Sequence, residues 1–212
     1  MILKKSDMDK NLLLSKIANH LILKASFMTD LGLYHGKIGI VIFFAHYSRY
    51  TENIIYDDFA GDLLDEVFED IHADTSFDFE SGLCGIGWGI KYLFDNNFIE
   101  GSPDDILMDI DKKIMEKDIL RIADKSFKTG LTGISFYVES RLKNKSKKCK
   151  NNTFDKIYLN NLKKVDLRSI NSKPKDILYE ILNDLPVNEN IHSLPLGLYK
   201  GCSGMGLKMI LQ

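Results

Sequence analysis

A short glycine pattern that comes back four times constrains this chain more than anything else in it. Gly32-Leu33-Tyr34-His35-Gly36-Lys37-Ile38-Gly39 is followed by Gly82-Leu83-Cys84-Gly85-Ile86-Gly87-Trp88-Gly89 and Gly130-Leu131-Thr132-Gly133-Ile134-Ser135. The fourth copy is Gly197-Leu198-Tyr199-Lys200-Gly201-Cys202-Ser203-Gly204-Met205-Gly206. Each copy opens with Gly-Leu, reaches a second glycine three or four residues later, and runs into an apolar segment. The opening glycines, at 32, 82, 130 and 197, recur at intervals of 48 to 67 residues. A period in this range marks a repeated supersecondary unit.

The segments between the glycine copies have helical periodicity. Leu14, Ile17, Ala18, Leu21, Ile22 and Ala25 predict an amphipathic helix that ends before Thr29-Asp30. From Asp57 to Ile71 a stripe of Phe59, Ala60, Leu63, Leu64, Val67 and Phe68 opposes a face of Asp62, Asp65, Glu66, Glu69 and Asp70. Ser102-Pro103-Asp104-Asp105 is a strong helix start, and the pattern predicts a helix from there to about Ala123. Ile177, Leu178, Ile181 and Leu182 mark a further one, opened by Lys173-Pro174 and stopped near Pro186. The segments after the glycine copies are apolar on nearly every side. The first of them, Ile38 to Ala45, leaves strand as a rival, but its equivalents Ile86 to Phe94 and Ile134 to Leu142 space their polar residues as helices do. Lys143 to Asn152, with five lysines, reads as a solvated loop, and Thr153 to Arg168 as an irregular segment with a short helix, so that 143–173 forms an insertion in one domain spanning 1–212.

A helix that is apolar all round must be covered on every side, whereas an amphipathic one can face water. Two concentric layers satisfy both needs, with apolar helices inside and amphipathic helices outside. The fold class expected is therefore all-α, an α/α toroid or partial toroid of four helix pairs. In such a fold the glycines are expected to allow positive φ in the turns and to let backbones crowd together. The inner helices would present free N–H groups on one face.

Composition excludes some functions. A formal net charge of −2 leaves no electrostatic footprint for nucleic acid, although the basic run Lys143 to Lys150 offers one local patch. Three cysteines at wide spacing form no disulfide framework, no apolar run reaches the length of a membrane span, and the N-terminus lacks signal-peptide features. A cytoplasmic protein with no nucleic-acid or membrane partner is expected.

The Gly-Leu-x-x-Gly-x-x-Gly pattern leading into apolar helices resembles the lanthionine synthetase C-like family. Gly32-Leu33-Tyr34-His35-Gly36 is similar to its Gly-Leu-x-His-Gly motif, and Gly82-Leu83-Cys84-Gly85 to another of its turns. The resemblance implies an α/α toroid, and for the bacterial peptide cyclases of the family it implies addition of cysteine thiols to dehydrated serine or threonine. The chain departs from that pattern. Family toroids usually have about seven inner turns, and this chain shows four. The family's zinc turns, Trp-Cys-Tyr-Gly and Cys-His-Gly, are missing, and Tyr199-Lys200 stands where Cys-His would be.

Two functional classes follow. The first is a non-catalytic or accessory member that binds a peptide or protein in a modified-peptide maturation pathway, with Tyr34, Trp88, Tyr199 and Lys200 as contacts and no cofactor. A four-unit arc would also leave apolar surface for a second copy to cover, completing the ring. The second class is an enzyme. One form is a zinc cyclase with rearranged ligands, His35, Cys84 and Cys202, in which His35 is also the catalytic candidate. The other is a carbohydrate-active toroid, for which Glu139 and Glu80 are the acids available. Cys149, in the lysine loop, is incidental to either.

Overall fold

The computed structural model describes residues 5–143, 153–165, 176–184 and 190–212. They are helical, with no strand among them: α1 (Lys5–Lys24), α2 (Lys37–Thr51), α3 (Ile55–Asp70), α4 (Leu83–Asp95), α5 (Pro103–Ile106), α6 (Met108–Met115), α7 (Leu131–Lys143), α8 (Lys156–Lys164), α9 (Ile177–Asn183) and α10 (Cys202–Leu211). The all-α expectation holds, and so does the alternation. In α2, α4, α7 and α10 buried residues occur all around the helix, whereas α1, α3, α6 and α9 bury one stripe each. The strand alternative for Ile38 to Ala45 is excluded, because these residues lie within α2.

The chain divides into two compact units, one from Met1–Ile71 with Asp176–Gln212 and the other from His72–Lys175. In the first unit α2 packs on α3 and α10, and α10 also receives α1 and α9. The fourth glycine copy thus lies directly on the first. Gly206 leaves no space for a Cβ beside the Phe43 ring, which would sit 2.5 Å away. In the second unit α4 packs on α5, α6 and α7. At Gly87 a Cβ would meet the Tyr137 ring at 2.6 Å.

One hydrogen bond identifies the repeat. The first N–H of each apolar helix donates to the carbonyl seven residues upstream: Lys37 to Asp30 (2.9 Å), Leu83 to Ser76 (2.8 Å), Leu131 to Asp124 (3.0 Å) and Cys202 to Pro195 (2.7 Å). The equivalent glycines are therefore Gly36, Gly82, Gly130 and Gly201. This corrects the alignment on Gly-Leu, which slips the first and fourth copies by four residues. The shared unit is Gly-x-x-Gly: Gly36 with Gly39, Gly82 with Gly85, Gly130 with Gly133 and Gly201 with Gly204.

Two further expectations are corrected at these turns. The cap glycines Gly36, Gly82 and Gly201 have φ of −105°, −108° and −123°, so they are extended rather than left-handed. What they supply is room. A Cβ on Gly36, Gly82, Gly130 or Gly201 would lie 2.3 to 2.5 Å from a backbone atom of its own loop. Nor are the leading N–H groups free, since the loop carbonyls take them. Side chains add to this wrapping: Asp78 Oδ1 accepts from the Ser81 and Gly82 N–H groups, and Asp124 carboxylate oxygens accept from the Ser126 N–H and the Thr129 hydroxyl.

The helix expected from Ser102 to Ala123 is shorter and broken. Ser102 caps α5 as expected, accepting from the Asp105 N–H, but α6 ends at Met115. Asp118 then draws the chain into a separate 3-10 turn over Ile119–Arg121 by accepting from the Leu120 N–H. The readings of Lys143 to Asn152 as a loop and of Lys173-Pro174 as a helix start fall on residues 144–152 and 166–175, outside the described residues. The short helix expected in the insertion is α8, which buries Tyr158 and Leu162.

Buried charges are paired. Lys37, on the first turn of α2, gives its Nζ to Glu66 (2.8 Å) and Asp70 (3.3 Å) of α3, so two acids assigned to the solvent face serve a buried lysine. Burial works to lower the Lys37 pKa, but the two carboxylates outweigh it and hold it above its ordinary value. At His46 of α2 the balance runs the other way. Burial, with Arg49 nearby, lowers its pKa from 6.5 to about 4. The unfolded chain therefore binds the extra proton first, and stability should fall as the pH drops from 6.5 toward 4. Allowing for partial exposure, the loss is about 2–3 kcal/mol. Urea unfolding at pH 7 and pH 4.5 should show a smaller loss in His46→Gln, and an unchanged loss would contradict this assignment.

Candidate functional site

The four turns place different residues just ahead of the cap glycine: His35, Ser81, Thr129 and Lys200. In the first unit two of these turns lie side by side. The Tyr199 N–H donates to the Tyr34 carbonyl (2.8 Å), and Gly197 is close enough to His35 that a Cβ would meet its Cα at 2.5 Å. This contact brings three rings together. Tyr34 and Tyr199 have centroids 5.8 Å apart, His35 and Tyr199 meet edge-on at 5.7 Å, and Tyr34 and His35 are 6.4 Å apart. Tyr34 is buried, His35 and Tyr199 are half-buried, and Lys200 is exposed.

The cluster is fixed by Asp184, just past α9. One of its carboxylate oxygens accepts from the Tyr199 hydroxyl (2.7 Å) and pairs with Lys200 Nζ (3.1 Å). The same ammonium lies 5.1 Å from the Tyr199 ring centre. Lys200 takes a left-handed φ of 53°, which turns its side chain back over the tyrosine. Its hydrogen bond to Asp184 holds its pKa above the ordinary lysine value. Sequence reasoning missed Asp184. It is one of several acids beside a short helix, and no motif marks it.

Cys202 does not join this cluster. Cys202, the first residue of α10, is buried and donates its thiol to the Ile191 carbonyl (3.1 Å). Burial raises its pKa from 9.0 to about 11. Cys84, the second residue of α4, belongs to the second unit and has no exposed surface. Burial, with Asp78 and Asp111 nearby, raises its thiol well above the usual range. A zinc site needs its ligands turned toward one point, and the Cys202 thiol is turned to a backbone carbonyl instead. Among the described residues no three His, Cys, Asp or Glu side chains gather as a metal-binding group.

Trp88 is half-buried in the second unit, stacked on Tyr92 at 5.5 Å and 6.1 Å from Phe79. Of the two acids available for glycoside chemistry, Glu80 pairs with Lys128 (2.8 Å), and Glu139 accepts from the Ser135 hydroxyl (3.2 Å). Cys149 lies outside the described residues. No helix among the described residues is long and apolar enough to cross a membrane.

Chemically the cluster of Tyr34, His35, Tyr199 and Lys200 offers two aromatic faces, an imidazole and an anchored ammonium. A family model described as lanthionine synthetase C-like protein matches residues 28–135, just over half of the chain, including the first three glycine copies. No curated protein and no solved structure matches.

Proposed function

Because the chain belongs to the lanthionine synthetase C-like family, we propose that it is a peptide-binding accessory member of that family, serving a modified-peptide maturation pathway without a metal. The observation that supports this reading is the aromatic cluster on the first and fourth turns. Tyr199 and Lys200 are pre-ordered by one carboxylate, so a peptide would meet a face that needs little further ordering, and pre-ordering lowers the cost of binding. Amphipathic rings next to a cation are the usual anchors of such contacts. The burial of both cysteines, with the Cys202 thiol given to the Ile191 carbonyl, supports the same reading.

A displayed library of random peptides rich in Ser, Thr and Cys tests it. Peptides selected on the purified chain should bind Tyr199→Ala and Lys200→Ala at least roughly tenfold more weakly, the loss of one anchor of about 1.4 kcal/mol. Both side chains lie at the surface or half-buried, so circular dichroism should show the fold intact. Equal binding by both variants would remove the site from this face. Addition of a cysteine thiol to dehydroalanine within a test peptide would show the cyclase chemistry instead.

A further inference from the structure

The outer helices of the first unit carry two exposed faces whose chemistry is complementary. Besides its buried stripe, α1 has an apolar outward side, with Met8, Leu12 and Leu23 exposed by 62%, 57% and 71%, and Phe27 just beyond it by 85%. Between and beside them stand the exposed cations Lys16 and Lys24. The outward side of α3 has Ile54 and Ile55 at its start, 70% and 65% exposed, then Asp58, Asp62, Asp65 and Glu69, with Phe68 near its end. Exposed apolar groups in such numbers on two helices of one unit mark a contact surface.

We propose that these two faces dock on each other between copies of the chain, α1 of one copy against α3 of the next. Laid side by side in the same direction with Leu12 level with Ile54, the helices bring opposite charges and apolar ends together, with the apolar Leu23 falling opposite an acid, Asp65. Leu12 falls opposite Ile54, Lys16 opposite Asp58, and Phe27 opposite Phe68 and Glu69, with Lys24 beside Asp65. Both sequences thus read apolar, charged, apolar along one face, with opposite signs of charge. Each face lies within the same unit, so the match depends on nothing beyond α1 and α3. The contact is heterologous, joining unlike surfaces. It leaves α2 and α10 undisturbed, since their faces already cover each other. It also leaves the Tyr34–Tyr199 cluster free to bind a peptide, so failure of one proposal does not imply failure of the other.

The test is sedimentation velocity on the full chain over a concentration series at low and high salt. Association is expected and should weaken as salt rises, because complementary surface charges are screened. Reversing charge on one side, by Lys16→Glu with Lys24→Glu or by Asp58→Lys with Asp62→Lys, should weaken association at least roughly tenfold. Mixing the two reversed proteins should restore it, since the reversed α1 face of one then meets the reversed α3 face of the other. All four positions are exposed, so the variants should fold, and circular dichroism checks this. A chain that stays monomeric at every concentration in low salt would overturn the proposal. So would association indifferent to both reversals, or a mixture no tighter than either variant alone.

Discussion

Gly82→Ala should destabilise the second unit by about 3 kcal/mol, at or above the upper end of ordinary overpacking. The added Cβ would lie 2.4 Å from the Ser76 carbonyl oxygen and 2.7 Å from its carbon. The backbone itself would have to move, and no side chain can rotate away to relieve it. The same carbonyl accepts the Leu83 N–H, so the bond that starts α4 would be lost together with the fit. Gly61→Ala is the control. Gly61 lies on the exposed side of α3 with nothing within 4 Å of its Cβ position. There alanine should stabilise by roughly 0.5–1 kcal/mol, through helix propensity and loss of unfolded-state freedom. Urea unfolding of the pair distinguishes a steric requirement from a general sensitivity of glycine positions. Equal, small effects would contradict the role given to the cap glycines.

Arg141→Met should cost about 3–5 kcal/mol, the usual result of stripping one partner from a buried ion pair. Arg141 is 3% exposed and Asp111 1%, and the guanidinium reaches the Asp111 carboxylate through Nη2 (2.8 Å) and Nε (3.1 Å), with Asp104 at 3.0 Å. Tyr137 donates its hydroxyl to the same Asp111 (2.5 Å). Burial pushes the Asp111 carboxyl up, and Arg141 and Tyr137 pull against that shift. Without Arg141 the carboxylate loses its counter-charge in a site closed to water. A triple variant, Asp111→Leu and Arg141→Met with Tyr137→Phe, should recover most of the loss, because it removes both charges together with the buried hydroxyl that Asp111 accepts from. A triple variant as unstable as Arg141→Met would contradict the role given to the unpaired carboxylate.

The apolar and amphipathic helices of this chain were legible because their patterns report burial directly. Leu63 to Val67 lies where its periodicity puts it, and Ile38 to Ala45, which periodicity left between strand and helix, is helical like its repeat equivalents. The register of the repeat was not legible, and the reason is physical. Gly-Leu has two jobs in this fold. In Gly82-Leu83 and Gly130-Leu131 the glycine caps the helix. Gly197, by contrast, stands a turn ahead of its cap and keeps clear the space beside Tyr34 and His35. The letters are the same, and only the hydrogen bond to the carbonyl seven residues upstream separates the two jobs. Long-range pairing was equally hidden. Nothing local says that Lys37 lies against Glu66, or that Asp184 fixes Tyr199 and Lys200. Of the candidate site, Tyr34, His35, Tyr199 and Lys200 were named from the motifs and do meet. Cys84 and Cys202 were named from the same motifs and are buried thiols in separate units.

The central claim, binding without a metal, is tested most directly by the metal content of the purified chain, measured by plasma mass spectrometry beside His35→Ala and the double variant Cys84→Ser, Cys202→Ser. The account predicts far less than one zinc per chain in all three proteins, with peptide binding unaffected by a chelator. About one zinc per chain, lost in either variant, would contradict it and make His35 and the cysteines ligands after all.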